Sequence, residues 1–518
     1  MSFAVWLIAS VGAHAQAPPA KVAAVVDGHI QAKLASAMLE GSSRSDDAEF
    51  LRRIYLHLNG RLPAPERVVE FLEDSDPAKR TKAVDRLLAS TSYGEHFANY
   101  WATLITAEEP KYRAPLAKWL AEEFNKGTPW SRIVHEMLVH EGNGPMVGFV
   151  LSNMDNGQPQ PNKLAGATGR LFLGMQIHCA ECHNHPFASF KQEDFWGLAA
   201  FFGRTRYAKA VGKSAMNAVT EAPTGKEKPS PGVKPGSIVL PNTAGKGSGK
   251  IVAARLLDRD PGALPKEGAL RPKLADWVVS PSNPYFAKAF ANRLWAHFFG
   301  RGLVNPIDDI HDENLPSHPE VLDALAKEFT ASGFDIKHLI RCICATEAYQ
   351  RTSRPTKNNE NDETLFSHQA VQVMNADVLY DALLQAYGVT ALKVAAGPGS
   401  SLAGRPVGNA SPRDKFIRLF NTNDSDSANT DYTHGIPQAL SLMNDPVFNS
   451  GGPTVDKLKG VEPAKAVEGL FLATLSRRPT ADEVELMTNY VARRGSPAQG
   501  YAGVLWILIN TEEFVLIR

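Results

Sequence analysis

The stretch SDDAEFLRRIYLHLNGRLP, residues 45–63, decides how the chain is to be read. Asp46 and Glu49 stand at the spacing of an N-terminal capping box. Phe50, Ile54 and Leu58 then recur every four residues, which makes one face of a helix apolar. Gly60 supplies a stop, and Pro63 lies beyond it. The same texture continues in PERVVEFLEDS (65–75), KRTKAVDRLLAS (79–90), GEHFANYWATLI (94–105), PLAKWLAEEFNKG (115–127) and PWSRIVHEMLVHEG (129–142). Strand-like alternation is scarce, so the pattern predicts a mainly α fold with little strand.

A change of texture separates this region from a second helical one. Residues 207–268 are rich in Gly, Pro, Ser and Lys, with one short strand candidate at Ser237 to Leu240. This tract reads as a linker or surface excursion between a helical domain over 40–206 and another over 269–518. The second domain carries helical patterns at 284–300, 318–333, 334–350, 375–388, 435–445, 463–479 and 500–518. Gly300, Gly333 and Gly388 stand where helix C-caps belong. Residues 396–432, dense in Gly, Ser, Asn and Asp, read as a polar loop.

The 518 residues are 43% hydrophobic and 21% charged, an ordinary globular composition. Lys plus Arg equals Asp plus Glu at 55 each, which gives no reason to expect nucleic acid as a partner. Phe3 to Val11 form a short apolar run, and Ala13-His14-Ala15 is a small-x-small site. Residues 1–15 therefore read as a secretory signal peptide cut after Ala15, implying a secreted or periplasmic protein. No later segment is apolar for long enough to predict a transmembrane span.

Four cysteines are too few for a disulfide scaffold. Cys342 and Cys344 lie in an apolar helical stretch, three after Leu339 and four after Ile340, and read as small buried hydrophobes. The other two stand in GMQIHCAECHNHPFASF, residues 174–190. Cys179, Cys182 and His183 spell C-x-x-C-H, the spacing needed to attach haem c through two thiols and to place an axial imidazole on its iron. The sixth ligand would be Met154, Met175, a remote His, or absent. A zinc site built from Cys179, Cys182 and either His183 or His185, with a fourth donor such as His178 or a remote His, competes with this reading. So does a Cys179–Cys182 disulfide in a binding or scaffold protein.

A resemblance rests on longer stretches. Residues 50–72, 82–105 and above all LGMQIHCAECHNHPFASFKQEDFWGLAAFF (173–202) resemble the cytochrome-c-like domain of unknown function fifteen-forty-nine. Residues 274–310, LPSHPEVLDALAKEF (315–329), IPQALSLMNDP (436–446) and LSRRPTADEVE (475–485) resemble its companion, domain of unknown function fifteen-fifty-three. The pair is best known from secreted planctomycete proteins. The chain departs from that pattern at His311, where an aromatic followed by Arg is more usual. The resemblance implies a cytochrome-like first half and no particular reaction.

One further cluster, NRLWAHFFGRGLVNPIDDIHDENLPSHPE (292–320), gathers Asn292, Arg293, His297, Asp308, Asp309, Asn314 and His318. Arg293 and His297 share a helix face at i, i+4. Asp308, Asp309 and His318 are candidates for acid–base work on a polysaccharide, against the alternative that they tie down a loop, with Ser317 as an N-cap and Pro319 just inside the helix. Trp101, Trp119, Trp130, Trp196 and Trp295 fall in apolar helical patterns and read as core. G-x-S-x-G, P-loop, G-x-G-x-x-G and H-E-x-x-H signatures are missing. The leading expectation is an exported c-type haem protein with a redox partner. The zinc- or disulfide-stabilised scaffold and the polysaccharide-active enzyme are its alternatives.

Overall fold

The computed structural model describes residues 16–107, 109–184, 186–208, 218–221, 236–240, 249–259, 261–262, 264, 269–392, 412–420, 442–444, 446–449 and 451–518. The signal segment 1–15 and most of the expected helix at 435–445 lie outside the described residues. The fold is mainly α, and the named strands occur only as two-stranded antiparallel pairs. Two units assemble around separate cores, and neither is one continuous segment. The first takes the chain up to Lys33, Ala98–Ala296 and Gly302–Thr346; the second takes Leu34–Phe97, His297–Arg301 and Glu347–Arg518.

Aromatic side chains fill the first core. Trp101 stacks on Phe290 at 5.8 Å and tilts against Trp130 at 4.4 Å, while Phe290 stacks on Phe329 at 4.7 Å. Trp196 and Trp295 are also buried, whereas Trp119 is half-exposed. The helices Arg113–Lys126, Trp130–Val139, Pro161–Thr168, Gln192–Ala200, Arg271–Val278, Pro319–Ala331 and Ile336–Cys344 belong to this unit. The Gly/Pro/Lys-rich tract contributes ordered strands to it. Thr205–Ala208 pairs with Ala218–Glu221, and Ser237–Val239 pairs with Ile251–Ala253. Val219 is buried and exchanges backbone hydrogen bonds with Gly142 at 2.7 and 2.8 Å. The helix Pro319–Ala331 starts one residue later than expected, with His318 as its N-cap in place of Ser317.

The second unit holds the helix read first, Asp47–Asn59. Asp46 accepts a hydrogen bond from the Glu49 amide at 2.8 Å, and Gly60 closes the helix in the left-handed region (φ 60°). Arg52 and Arg53 are buried on this helix beside the expected apolar stripe. Their guanidiniums take up carbonyls that other segments leave unpaired. Arg52 donates to Thr474 O and Phe514 O, each at 2.7 Å, and Arg53 donates to Tyr349 O at 2.8 Å and Arg518 O at 2.6 Å. The helices Ala376–Tyr387, Pro463–Leu475 and Pro497–Ile509 pack in one core that also takes in Leu56 and Leu62. Inside the stretch read as a polar loop, Pro412–Phe420 forms a helix. Phe416, Ile417 and Phe420 are buried, and Phe416 lies 5.2 Å from Tyr380. The surrounding Gly, Ser and Asn composition hid this short amphipathic segment.

Candidate functional site

The C-x-x-C-H motif sits on a strapped surface turn of the first unit. The helix Pro161–Thr168 runs directly into a π-helical turn, Gly169–Leu173, which Gly174 ends at φ 67°. A Cβ on Gly169 would lie 2.6 Å from Ile177 Cγ2, so the close return of the chain requires glycine there. Such π turns are often found beside functional sites. Met175 and Ile177 turn inward, and a 3₁₀ turn, Ile177–Glu181, carries Cys179 outward.

Glu181 is the hub of the turn. Its carbonyl accepts from Trp196 Nε1 at 2.9 Å and Gln192 Nε2 at 3.0 Å, both on the helix Gln192–Ala200. Its carboxylate accepts from Asn162 Nδ2 at 2.9 Å and lies 3.3 Å from His178 Nε2. Gln192 Nε2 also reaches Cys182 O at 3.1 Å, and its amide meets Asn184 Oδ1 at 3.1 Å. Rigid helices thus hold the turn while its reactive groups stay outside.

Cys179 and Cys182 are free thiols, and both residues are exposed. His183 is exposed as well, and its Nδ1 meets Asn184 O at 2.7 Å. A carbonyl only accepts, so Nδ1 carries the proton and a neutral ring keeps its lone pair on Nε2. Phe187, four residues on, is 63% exposed. His185 lies outside the described residues. Met175 is buried, and Met154 lies on the short strand Met154–Asp155. Among the described residues no group of three or more His, Cys, Asp or Glu side chains is arranged to hold a metal ion.

The second cluster is joined to this region through backbone. Ile310 N donates to Gly174 O at 2.8 Å, five residues before Cys179. Asn292 shapes the Ile310 loop, donating to Val304 O at 2.9 Å and Ile307 O at 3.0 Å and accepting from Val304 N at 2.9 Å. Asp308 is buried and ion-paired with buried Arg293, whose guanidinium lies over the Trp101 ring at 5.6 Å. Asp309 lies 3.5 Å from His311 Nε2, and its carbonyl accepts from Asn314. His318 is buried, with Nδ1 3.1 Å from Ser317 Oγ. Asp308 therefore neutralises an internal cation. Arg293 and His297, expected on one face, have separate work: His297 Nε2 bonds His57 O at 2.8 Å within the second unit.

Cys342 and Cys344 are buried, as their spacing predicts. Burial pushes the Cys342 thiol up to about 12 and raises that of Cys344 too, which suppresses thiolate chemistry.

Sequence reading passed over Asn162, Glu181 and Gln192 and took Trp196 only as core. A Trp whose N–H needs a partner, fourteen and seventeen residues from the two cysteines, was the available signal. It also missed the group formed by His57, His96 and His297, for which separate helical segments offer no local sign.

Two family models match the chain in succession. PSCyt2, a protein of unknown function (DUF1549), matches residues 25–207, and PSD1, a protein of unknown function (DUF1553), matches residues 270–491. No curated protein and no solved structure matches. No helix among the described residues is long and apolar enough to cross a membrane. The strapped Cys179–His183 turn lies within the first match and the Asp308 loop within the second, and the chain belongs to the family in which a DUF1549 domain is followed by a DUF1553 domain.

Proposed function

We propose that this is an exported c-type haem protein, with Cys179 and Cys182 as the attachment thiols and His183 as the axial ligand. The observation that carries the reading is the combined state of the three side chains. Cys179 lies in the 3₁₀ turn Ile177–Glu181 and Cys182 caps it, three residues on, and both are exposed free thiols. Beside them His183 holds Nδ1 on the Asn184 carbonyl, the outer hydrogen bond that fixes the orientation of a metal-binding imidazole and leaves Nε2 to ligate. The exposed Phe187 adds apolar surface in the same segment. When bound, haem c would supply one-electron redox chemistry. The chain's own part is to hold the turn through Glu181, Gln192 and Trp196 so that thiols and imidazole keep their relative placement.

The test is the absorption spectrum of full-length protein exported from cells that carry haem-attachment machinery. A Soret band that survives denaturing electrophoresis as a haem stain, and disappears in Cys179→Ser/Cys182→Ser, is the expected result. Colourless protein containing one zinc ion per chain would overturn it in favour of the metal-stabilised scaffold. Colourless protein with Cys179 disulfide-bonded to Cys182 would overturn it in favour of a structural bridge.

A further inference from the structure

In the second unit three imidazoles meet at one helix end. His57 occupies the last turn of the helix Asp47–Asn59, and its carbonyl is among those that a helix C-terminus leaves without an intrahelical donor. His297 supplies the missing donor at 2.8 Å through Nε2. The His297 ring centroid lies 5.6 Å from that of His57 and 5.8 Å from that of His96. Gly60, which caps the helix, passes so close to His96 that a Cβ would lie 2.4 Å from its Nδ1.

Hydrogen bonding sets the protonation of each ring. A carbonyl can only accept, so His297 carries a proton on Nε2. The Gln372 amide nitrogen lies 3.4 Å from His57 Nε2, which must therefore accept; the His57 proton is on Nδ1, 3.0 Å from Tyr349 Oη. His96 Nε2 is sealed from solvent and has no hydrogen-bond partner among the described residues. A second proton on His57 would face the Gln372 N–H, and one on His96 Nε2 would be a buried donor with nothing to receive it. The charged groups acting on the rings are the guanidiniums of Arg53 and Arg61, which oppose further positive charge. Their carboxylate partners, Glu49 and Glu95, bind the guanidiniums at 2.7 and 2.9 Å.

We propose that His57, His96 and His297 form an acid-operated latch: as neutral rings they close the C-terminal end of the Asp47–Asn59 helix, and their joint protonation releases it. Desolvation, with the neighbouring His297 ring adding to it at His57 and His96, holds all three rings below the ordinary imidazole value of 6.5, His96 down to about 3. The unfolded chain binds these protons at about pH 6.5 and the folded chain does not, so stability is full above that pH and falls as pH drops below it. Each ring that stays neutral in the folded chain raises the unfolded-to-folded ratio about tenfold per pH unit, so the rings together steepen the loss. The latch stands independently of the haem assignment.

Hydrogen exchange of the full chain between about pH 8 and about pH 4.5 tests the latch. Protection at residues 47–60 should fall steeply below about pH 6.5, before protection at 161–200 in the other unit falls. The variant His96→Phe/His297→Gln, which keeps a donor toward the His57 carbonyl, should lose at least about one tenfold factor per pH unit of the parent's dependence. Equal pH dependence in the variant and the parent would overturn the proposal. Should the variant fail to fold, imidazole resonances of the parent decide: rings that stay neutral in the folded chain at about pH 5 support the latch, and rings that titrate near 6.5 overturn it.

Discussion

Glu221 and Arg271 lie 2.6 Å apart with both side chains sealed from solvent. Arg271 also donates to Leu138 O at 3.1 Å, and the Glu221 carboxylate accepts from the Leu270 and Arg271 amides at the start of the helix Arg271–Val278. The pair thus binds the Ala218–Glu221 strand to that helix. Taking one partner away leaves a buried charge without its counter-ion, which costs about 3–5 kcal/mol. Glu221→Gln should lower the unfolding free energy measured in urea by that much, and a change below about 0.5 kcal/mol would refute the assignment.

The thiols should divide two and two. In protein made without haem-attachment machinery, maleimide should modify Cys179 and Cys182 in the native state. Cys342 and Cys344 should react only in denaturant, because burial keeps them as thiols and shields them. Peptide mapping by mass spectrometry checks the positions. Native labelling at Cys342 would contradict the packing of the helix Ile336–Cys344.

Trp196→Phe keeps an aromatic ring in the core but removes the N–H that holds the Glu181 carbonyl. Gln192 still donates to that carbonyl, so the global cost should be about 1 kcal/mol. Hydrogen exchange at residues 177–184 should rise more than elsewhere in the unit. Adding Gln192→Ala should raise it further, and unchanged exchange in the double variant would show that the strap holds nothing.

Gly169→Ala places a methyl group against Ile177 at 2.6 Å. Shifting a packed neighbour costs about 1–3 kcal/mol. Ile177→Ala removes the clashing atom, so a double-mutant cycle measured by urea unfolding should yield a favourable coupling between the two changes. Strict additivity would mean that the π turn absorbs the methyl.

Neighbouring aspartates should respond very differently. Asp308→Asn leaves Arg293 buried without its counter-ion and should cost about 3–5 kcal/mol in a thermal or urea melt. Asp309 is partly exposed and lies 3.5 Å from His311, so Asp309→Asn should cost under about 1 kcal/mol. Similar losses from both would point away from the Arg293–Asp308 pair as the group that holds this loop.

Much of the fold could be read along the chain because it rests on neighbours. Asp46, the Phe50–Ile54–Leu58 stripe and Gly60 set a helix through caps and a 3.6-residue period, both local properties. The spacing of Cys179, Cys182 and His183 is likewise written in adjacent residues, and the same stretches carry the family match. Local composition misled at Pro412–Phe420, where burial of Phe416, Ile417 and Phe420 makes a helix inside a tract of loop-forming residues. Tertiary structure alone decided that Glu221 meets Arg271, that Ile310 donates to Gly174, and that His297 closes the helix ending at His57. The reason is physical: backbone preference and periodicity depend on nearby residues, whereas the desolvation and hydrogen bonding of a polar group depend on whichever distant segment covers it.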